Sequence, residues 1–271
     1  MTKSIIINLK LTIDDIITTD GYIEIAKKCS DTLCQIKTDY FKIGKFKWRG
    51  NYHPSIIKEN VIISHSDYSV TDEISEKFKK VFCVNNSSKN KNTFSLPLGI
   101  PNNSDELEIL KIIGNKESLI QVIESDVEKE NLLYLNFSVN TYSDLRGRLM
   151  SQYKKLNWVN SEEPKYTPEG RIKYLTSLKK SKFVLCPRGN GIDTHRLWET
   201  LYVGSIPIIE KFKTHDICHD LPVLFIDDWS ALDEDFLNEK YLEITNRNFN
   251  LDKLKISFWE NFIKEKITNY V

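Results

Sequence analysis

Two arginines, two glycines, an aspartate and a glutamate fall together in Arg188-Gly189-Asn190-Gly191-Ile192-Asp193-Thr194-His195-Arg196-Leu197-Trp198-Glu199. Glycines without a Cβ let backbone N–H groups come close to an anion. A helix starting just beyond them adds partial positive charge, and the guanidinium groups of Arg188 and Arg196 supply charge-assisted hydrogen bonds. This combination suits a phosphate or diphosphate. Glu199 lies one helical turn beyond His195 and on roughly the same side as Arg196, within reach of a ribose diol next to that diphosphate. No Gly-Lys-Ser/Thr closes the loop, and the Gly-x-Gly-x-x-Gly spacing of dinucleotide sites is absent, which speaks against a plain ATPase or dehydrogenase.

The flanking residues predict the elements that hold this loop. Phe183 to Cys186 is a short apolar run of the buried-strand type, broken by Pro187, Gly189 and Gly191. Asp193 or Thr194 can cap a helix whose apolar stripe is Leu197, Trp198 and Leu201. Gly204 stands where a helix ends, and Ile206 to Ile209 is the next strand. A strand–loop–helix–strand unit crosses over right-handed and leaves its loop at the carboxyl edge of a parallel sheet, where ligands bind.

The run Cys186-Pro-Arg-Gly-Asn-Gly-Ile-Asp-Thr-His-Arg-Leu-Trp-Glu199 resembles the donor-site motif of exostosin-like (family 47) glycosyltransferases. Two upstream segments, Val61-Ile-Ile-Ser-His-Ser-Asp67 and Ser95-Leu-Pro-Leu-Gly-Ile-Pro-Asn102, are similar to first-domain segments of that group. The resemblance implies an α/β protein of GT-B architecture: two facing Rossmann-like domains with a cleft between them. It also implies a nucleotide-sugar donor on the second domain and inversion at the anomeric carbon without a metal or other cofactor. A UDP-sugar is the expected donor, with UDP-xylose favoured by resemblance to the compact glycosyltransferases of large DNA viruses. A glycan is the expected acceptor. The diphosphate would be met by Arg188, Arg196, Arg146 and the loop N–H groups from Gly189 to Gly191. Asp193, Asn190 and Thr194 would contact the sugar or fix the loop, and Glu199 would hold the ribose. Arg146 resembles the arginine that family members present to the diphosphate, whereas Arg148, two residues on, points to another side.

Inverting transfer needs one base beside the acceptor hydroxyl. Val61 to Ser64 reads as a buried strand, so Asp67 and His65 sit just past its carboxyl end. Either can be that base, or Asp67 can orient His65, or Asp67 can cap a helix starting near Thr71. A protein that kept the fold but lost such a base would be a glycan- or nucleotide-binding module without turnover. Trp48, Arg49, Tyr52 and His53 lie in an irregular stretch over 38–56, a mixture that fits a sugar-contacting loop or a solvated basic one.

Elsewhere the pattern predicts a strand over 4–9 and helices over 20–29, 71–80 and 106–113. Further strands are expected over 81–84, 93–98 and 132–137, and an edge strand or loop from Asn157. A helix begins at Asp144, another runs from Pro168 to Lys180, and a strand covers 223–226. A long amphipathic helix over 251–267 is expected to cross back to the first domain. The charged stretch 114–130 reads as an interdomain passage. The expected division is 1–118 plus 254–271 for the acceptor side and 119–253 for the donor side.

With 38 basic against 38 acidic residues, the chain is not a general polyanion binder, and no nucleic-acid partner is expected. Its 271 residues suffice for two modest domains. The five cysteines are odd in number and lack zinc-type spacing, as for reduced thiols in a cytoplasmic protein. No run approaches membrane-spanning length, and the N-terminal apolar run is too short for a signal peptide. His215 and His219 are four apart without a third ligand in pattern, and Asp233-Glu-Asp235 reads as helix capping, so no metal site is expected. The Asn-x-Ser triplets at Asn85, Asn86, Asn102 and Asn136 read as surface or turn residues.

Overall fold

The computed structural model describes residues 10–29, 33–36, 60–64 and 66–268. The strand expected over 4–9, the aromatic-rich stretch 38–56 and His65 lie outside those residues. Two parallel sheets organise the rest. The first runs in chain order: β1 (Leu33–Ile36), β2 (Asn60–Ile63), β3 (Lys80–Cys83) and β4 (Thr93–Ser95). The second contains β5 (Asn131–Leu135), β6 (Val159–Ser161), β7 (Ser181–Leu185), β8 (Ile206–Glu210) and β9 (Leu224–Ile226), ordered β6-β5-β7-β8-β9. The chain leaves β5 toward one edge and returns to place β7 on its other side. That reversal makes the carboxyl ends of β5 and β7 a topological switch point, the usual ligand site of an open α/β sheet.

Both faces of the second sheet are covered, so its central strands carry apolar runs, Phe183 to Leu185 and Ile206 to Ile209, instead of alternating. Leu133, Leu135, Phe183, Leu185, Ile206 and Ile208 pack with Leu145, Leu149 and Tyr153 of α5 (Ser143–Tyr153) and with Leu237, Tyr241 and Ile244 of α8 (Glu234–Thr245). On the opposite face, Tyr134 and Val184 meet Leu175 and Leu178 of α6 (Pro168–Lys179), and Leu197, Trp198 and Leu201 of α7 (His195–Tyr202). The same cluster runs on into the first sheet through Ile62, Phe82, Leu96 and Leu98, and into α1 (Thr19–Lys28) through Tyr22 and Ile25. Its carbon surface, worth roughly 25 cal/mol per Å² removed from water, is shared by both sheets.

The central strand–loop–helix–strand unit forms as its sequence directs. Thr194 is the N-cap, its hydroxyl accepting from the Leu197 N–H, and Gly204 ends α7 at φ +75°. α1 and α6 also lie where periodicity puts them, with Thr18 and Thr167 as caps. Asp233 caps α8 through the Phe236 N–H, as its acidic cluster suggests.

Three segments differ from expectation. The helix expected over 71–80 is only the single turn α2 (Asp72–Ser75), because the Asp72 carboxylate accepts from Ser88 Oγ and the Lys89 N–H and holds the polar loop against it. The passage 114–130 contains α4 (Lys116–Glu124) after α3 (Glu108–Ile113). Asn115 caps α4, Leu119 and Val122 are buried, and the expected division between residues 118 and 119 falls inside this helix. The 251–267 stretch splits into a 3-10 turn, Leu251–Leu254, and α9 (Ile256–Thr268). On α9, Phe262 packs edge-on against Phe82 and Phe94 of the first sheet, at 6.5 and 6.0 Å between centroids, and Glu260 pairs with Lys28 of α1. No helix among the described residues is long and apolar enough to cross a membrane.

Candidate functional site

The loops that follow β5 and β7 flank a cleft of about 380 Å³ that also reaches the loops following β2 and β4. Asn136, Ser138 and Thr141 come from the first of these loops, Gly189 to Arg196 from the second, and Ser66, Asp67, Leu98 and Pro101 from the first sheet. Helix α6 contributes Arg171 and Tyr174, and α7 contributes Glu199. The cleft therefore opens at the switch point of the second sheet and faces the carboxyl edge of the first.

The structure sorts the expected site residues by what their polar atoms do. Arg196 lines the cleft with its guanidinium over the Phe137 ring, at 5.5 Å. It has no ion-pair partner among the described residues, and its buried Nε has no acceptor among them. Arg146 also lines the cleft, yet its guanidinium is largely committed to the chain. Nε donates to the Arg188 carbonyl (2.9 Å), Nη1 to the Ser138 carbonyl (2.9 Å) and Thr141 Oγ1, and Nη2 to the Pro187 carbonyl (3.1 Å). Burial, and then the nearby Arg196 charge, bring its pKa down to about 10. Arg146 thus braces the 187–189 backbone, and its second Nη2 proton is the donor not spent on these partners.

Arg188 departs from expectation as well. It is not among the residues that line the cleft: its guanidinium stacks over Tyr142 at 4.6 Å and donates to the Gly189 and Asn190 carbonyls. The Gly189 N–H is used within the loop, donating to the Gly191 carbonyl at 3.1 Å. Packing also requires a glycine at 191. A Cβ there would stand 1.8 Å from the Ser66 carbonyl oxygen, so this glycine is where the β7 loop presses on the β2 loop. Asn190, Gly191 and Thr194 remain on the cleft wall.

Asp193 fixes the loop. Its carboxylate accepts from the Leu98 N–H of the first sheet (2.9 Å), from the Thr194 N–H (2.7 Å) and from Trp198 Nε1 (2.9 and 3.0 Å). Burial pushes its pKa up to about 7 in spite of these donors. His195 is tied across the same seam, Nδ1 lying 2.8 Å from the Gly99 carbonyl, and burial lowers its pKa. Gly99 itself has φ +70° and would carry a Cβ only 2.1 Å from the Ile17 carbonyl, which explains the Pro97-Leu-Gly99 turn.

Glu199 is buried on the cleft wall. Its Oε1 takes Arg171 Nη1 at 2.5 Å and its Oε2 takes the Tyr174 hydroxyl at 2.8 Å. Burial would raise its pKa, but the Arg171 guanidinium and the Tyr174 hydroxyl outweigh burial and hold the carboxyl below its ordinary value. An ionised acceptor one helical turn in from the loop is thereby secured. Asp67 is exposed at the cleft rim, on the first-sheet side, three residues past the buried Ser64.

Sequence reasoning missed Asn85. Instead of a surface residue it is fully buried past the end of β3, and Asn86 and Asn136 are buried too. Asn85 Oδ1 accepts from the N–H groups of both Ile192 and Asp193, at 2.9 Å each, while Nδ2 donates to the Ser66 carbonyl at 2.7 Å. One side chain thus clamps the β7 loop to the β2 loop. Arg171 was missed as well, although a signal was present: it lies on the same helical stripe as Leu175 and Leu178, a charge where the pattern demands an apolar residue.

Fold and site together define an α/β protein with a cleft lined by charged side chains at a switch point. Residues 133–271 match the family described as RXYLT1 C-terminal domain, which is more than half of the chain, and the chain belongs to that family. It is 28% identical over 137 residues to the human (Homo sapiens) ribitol-5-phosphate xylosyltransferase 1, covering 42% of this chain and 31% of the human protein. With the mouse (Mus musculus) protein of the same name it shares 27% over 130 residues, 41% of this chain and 29% of that one. The chain thus matches less than a third of the length of either relative. Both relatives are glycosyltransferases by name, in keeping with the resemblance of the Cys186–Glu199 run.

Proposed function

We propose that this chain is a glycosyltransferase that takes a sugar from a nucleoside diphosphate sugar and passes it to a glycan hydroxyl. The observation that carries the proposal is the switch-point cleft itself. Arg196, with an unused buried N–H, stands one helical turn before the ionised Glu199, and both face a cavity of nucleotide size. Arg196 and the Asn190–Gly191 backbone would receive the diphosphate and stabilise the charge that grows on it as the sugar departs, so the step needs no metal in this reading. Glu199 would receive the ribose. Asp67, on the opposite wall, would take the acceptor's proton as the anomeric carbon is attacked from the face away from the diphosphate, which inverts its configuration. Xylose is the sugar in the relatives' name, and UDP-xylose is the donor this reading favours.

In the same reading the two sheets are the two Rossmann-like domains of a GT-B enzyme. The acceptor side is the first sheet with the C-terminal segment 254–271, and the donor side begins with α4 and runs to residue 253. Packing of α9 against Phe82 and Phe94, and of α4 on α6, supports this assignment.

The test is a thermal-shift screen of UDP, GDP and CMP sugars in EDTA, since a ligand that binds only the folded state raises its melting temperature. A shift with UDP-xylose, followed by acceptor-dependent release of UDP, is the expected result. Absence of any shift, in EDTA or with added magnesium or manganese, would overturn the proposal. Binding without turnover on any acceptor would replace it with a binding module.

A further inference from the structure

Arg171 carries two polar atoms that nothing among the described residues satisfies. The residue is 4% exposed, and its Nη1 is spent on Glu199 Oε1, yet its buried Nε and Nη2 have no hydrogen-bond partner. These two nitrogens share one edge of the guanidinium, and their N–H bonds run parallel as a two-pronged donor. A buried donor left without an acceptor costs about 1–3 kcal/mol, so a whole empty fork on the wall of a cleft calls for a ligand. The side chain is held in place from below by Tyr174, whose ring lies 5.7 Å from the guanidinium carbon and whose hydroxyl donates to the same carboxylate.

The charge of the group selects what it takes. Arg196 has no carboxylate partner among the described residues and keeps its positive charge for an anion. Arg171 is neutralised by Glu199 at 2.5 Å, so a second anion at its fork would be repelled by that carboxylate. What the pair presents is two donors from Arg171 beside lone pairs remaining on Glu199. A vicinal diol is the complement, because each hydroxyl accepts one hydrogen bond and donates another. We propose that Arg171 is a specificity-determining residue of the cleft: its Nε and Nη2 donate to the two ribose oxygens while Glu199 accepts from them. This deepens the proposed nucleotide-sugar reading and rests on it.

The fork makes a selectivity expectation that simple support of Glu199 does not. Removing one hydroxyl leaves a buried N–H unpaired, so the protein should bind UDP about 10- to 100-fold more tightly than 2′-deoxy-UDP. Arg171→Lys keeps a cation beside Glu199 but has no fork. In that variant the preference should fall to about threefold or less while the melting temperature stays near that of the wild type. Arg171→Met should lose the preference and also weaken UDP itself. Tyr174→Phe, which leaves the fork in place, should retain most of the preference and stands in if Arg171→Met does not fold.

The measurement is calorimetric titration of UDP, 2′-deoxy-UDP, GDP and 2′-deoxy-GDP into the wild type and these variants. Equal binding of ribo and deoxy forms by the wild type would overturn the role of Arg171 and leave the proposed function standing. Full selectivity in Arg171→Lys would overturn it too, since no fork would then be needed. Failure of every nucleotide to bind the wild type would sink both the fork and the function it rests on.

Discussion

The two sheets meet at one cleft but bring different kinds of atom to it. The second sheet and its helices supply charged side chains: Arg146, Arg171, Arg196 and Glu199. Among the described residues, the first sheet supplies mainly backbone and neutral groups, namely the Ser66 and Gly99 carbonyls, the Leu98 N–H and the Asn85 amide, with Asp67 as the one carboxylate it places on the cleft wall. A ligand with a diphosphate therefore has a reason to bind on the second sheet. The first sheet is the wall that fixes the loop, and in the proposed reading it would carry the base. The family match begins at Leu133 in β5 and takes in most of the second sheet together with α9. Charged side chains at fixed spacing leave a readable trace in sequence, and backbone contacts do not.

The largest effect expected from this division is on turnover. Asp67→Asn should lower kcat by about 10²–10⁴-fold, the usual contribution of a positioned base. UDP affinity in that variant should stay within about twofold of the wild type, read by titration beside a coupled assay of UDP release. Equal loss of binding and turnover would erase the distinction between the two walls.

Next is the seam itself. Gly191→Ala places a Cβ 1.8 Å from the Ser66 carbonyl, a backbone atom that cannot swing aside, and should cost about 3 kcal/mol in urea unfolding. Gly189→Ala meets only side chains, Arg146 Nη2 at 3.1 Å and Thr141 Oγ1 at 3.6 Å being the nearest groups, and should cost much less. Asn85→Ala removes the acceptor of two buried N–H groups and should cost about 2 kcal/mol, with weaker UDP binding because the β7 loop loses its clamp.

The smallest expected effect is a pH dependence. Asp193 has its folded pKa raised by burial to about 7, from an ordinary value of 3.8. A raised carboxyl pKa means the folded protein holds a proton that the unfolded chain has released. That contribution is complete below about pH 4 and is lost as pH rises through 7. Between pH 6 and pH 8 the wild type should lose about 1 kcal/mol of stability relative to Asp193→Asn, measured by urea unfolding at each pH.

Local and distant determinants of the fold divide along the same line. The β7–α7–β8 unit could be read because its punctuation is local: Pro187, the glycines, the Thr194 cap and the Gly204 stop all act within a few residues. α4 was hidden in a charged stretch because its buried face has only Leu119 and Val122. The Asp72 turn was overlong in expectation because its end is set by Ser88 and Lys89, which the chain reaches only after another strand. In the site, residue types pointed to Arg196 and Glu199, and both line the cleft. Arg146 and Arg188 have the right charge, but loop carbonyls take most of the Arg146 donors and the Arg188 guanidinium lies over Tyr142, which only the folded backbone shows. Asn85 and Arg171 act on partners 107 and 28 residues away, beyond any local pattern.

Hydrogen–deuterium exchange with saturating UDP would locate a nucleoside diphosphate on the second-sheet wall of the cleft, where the proposed function puts it. Slowed exchange should be confined to the loop and helix start at 187–199, to the β5 loop at 136–142 and to the start of α6, with the far faces of both sheets unchanged. Protection centred on the first sheet, or spread evenly over the chain, would contradict that placement.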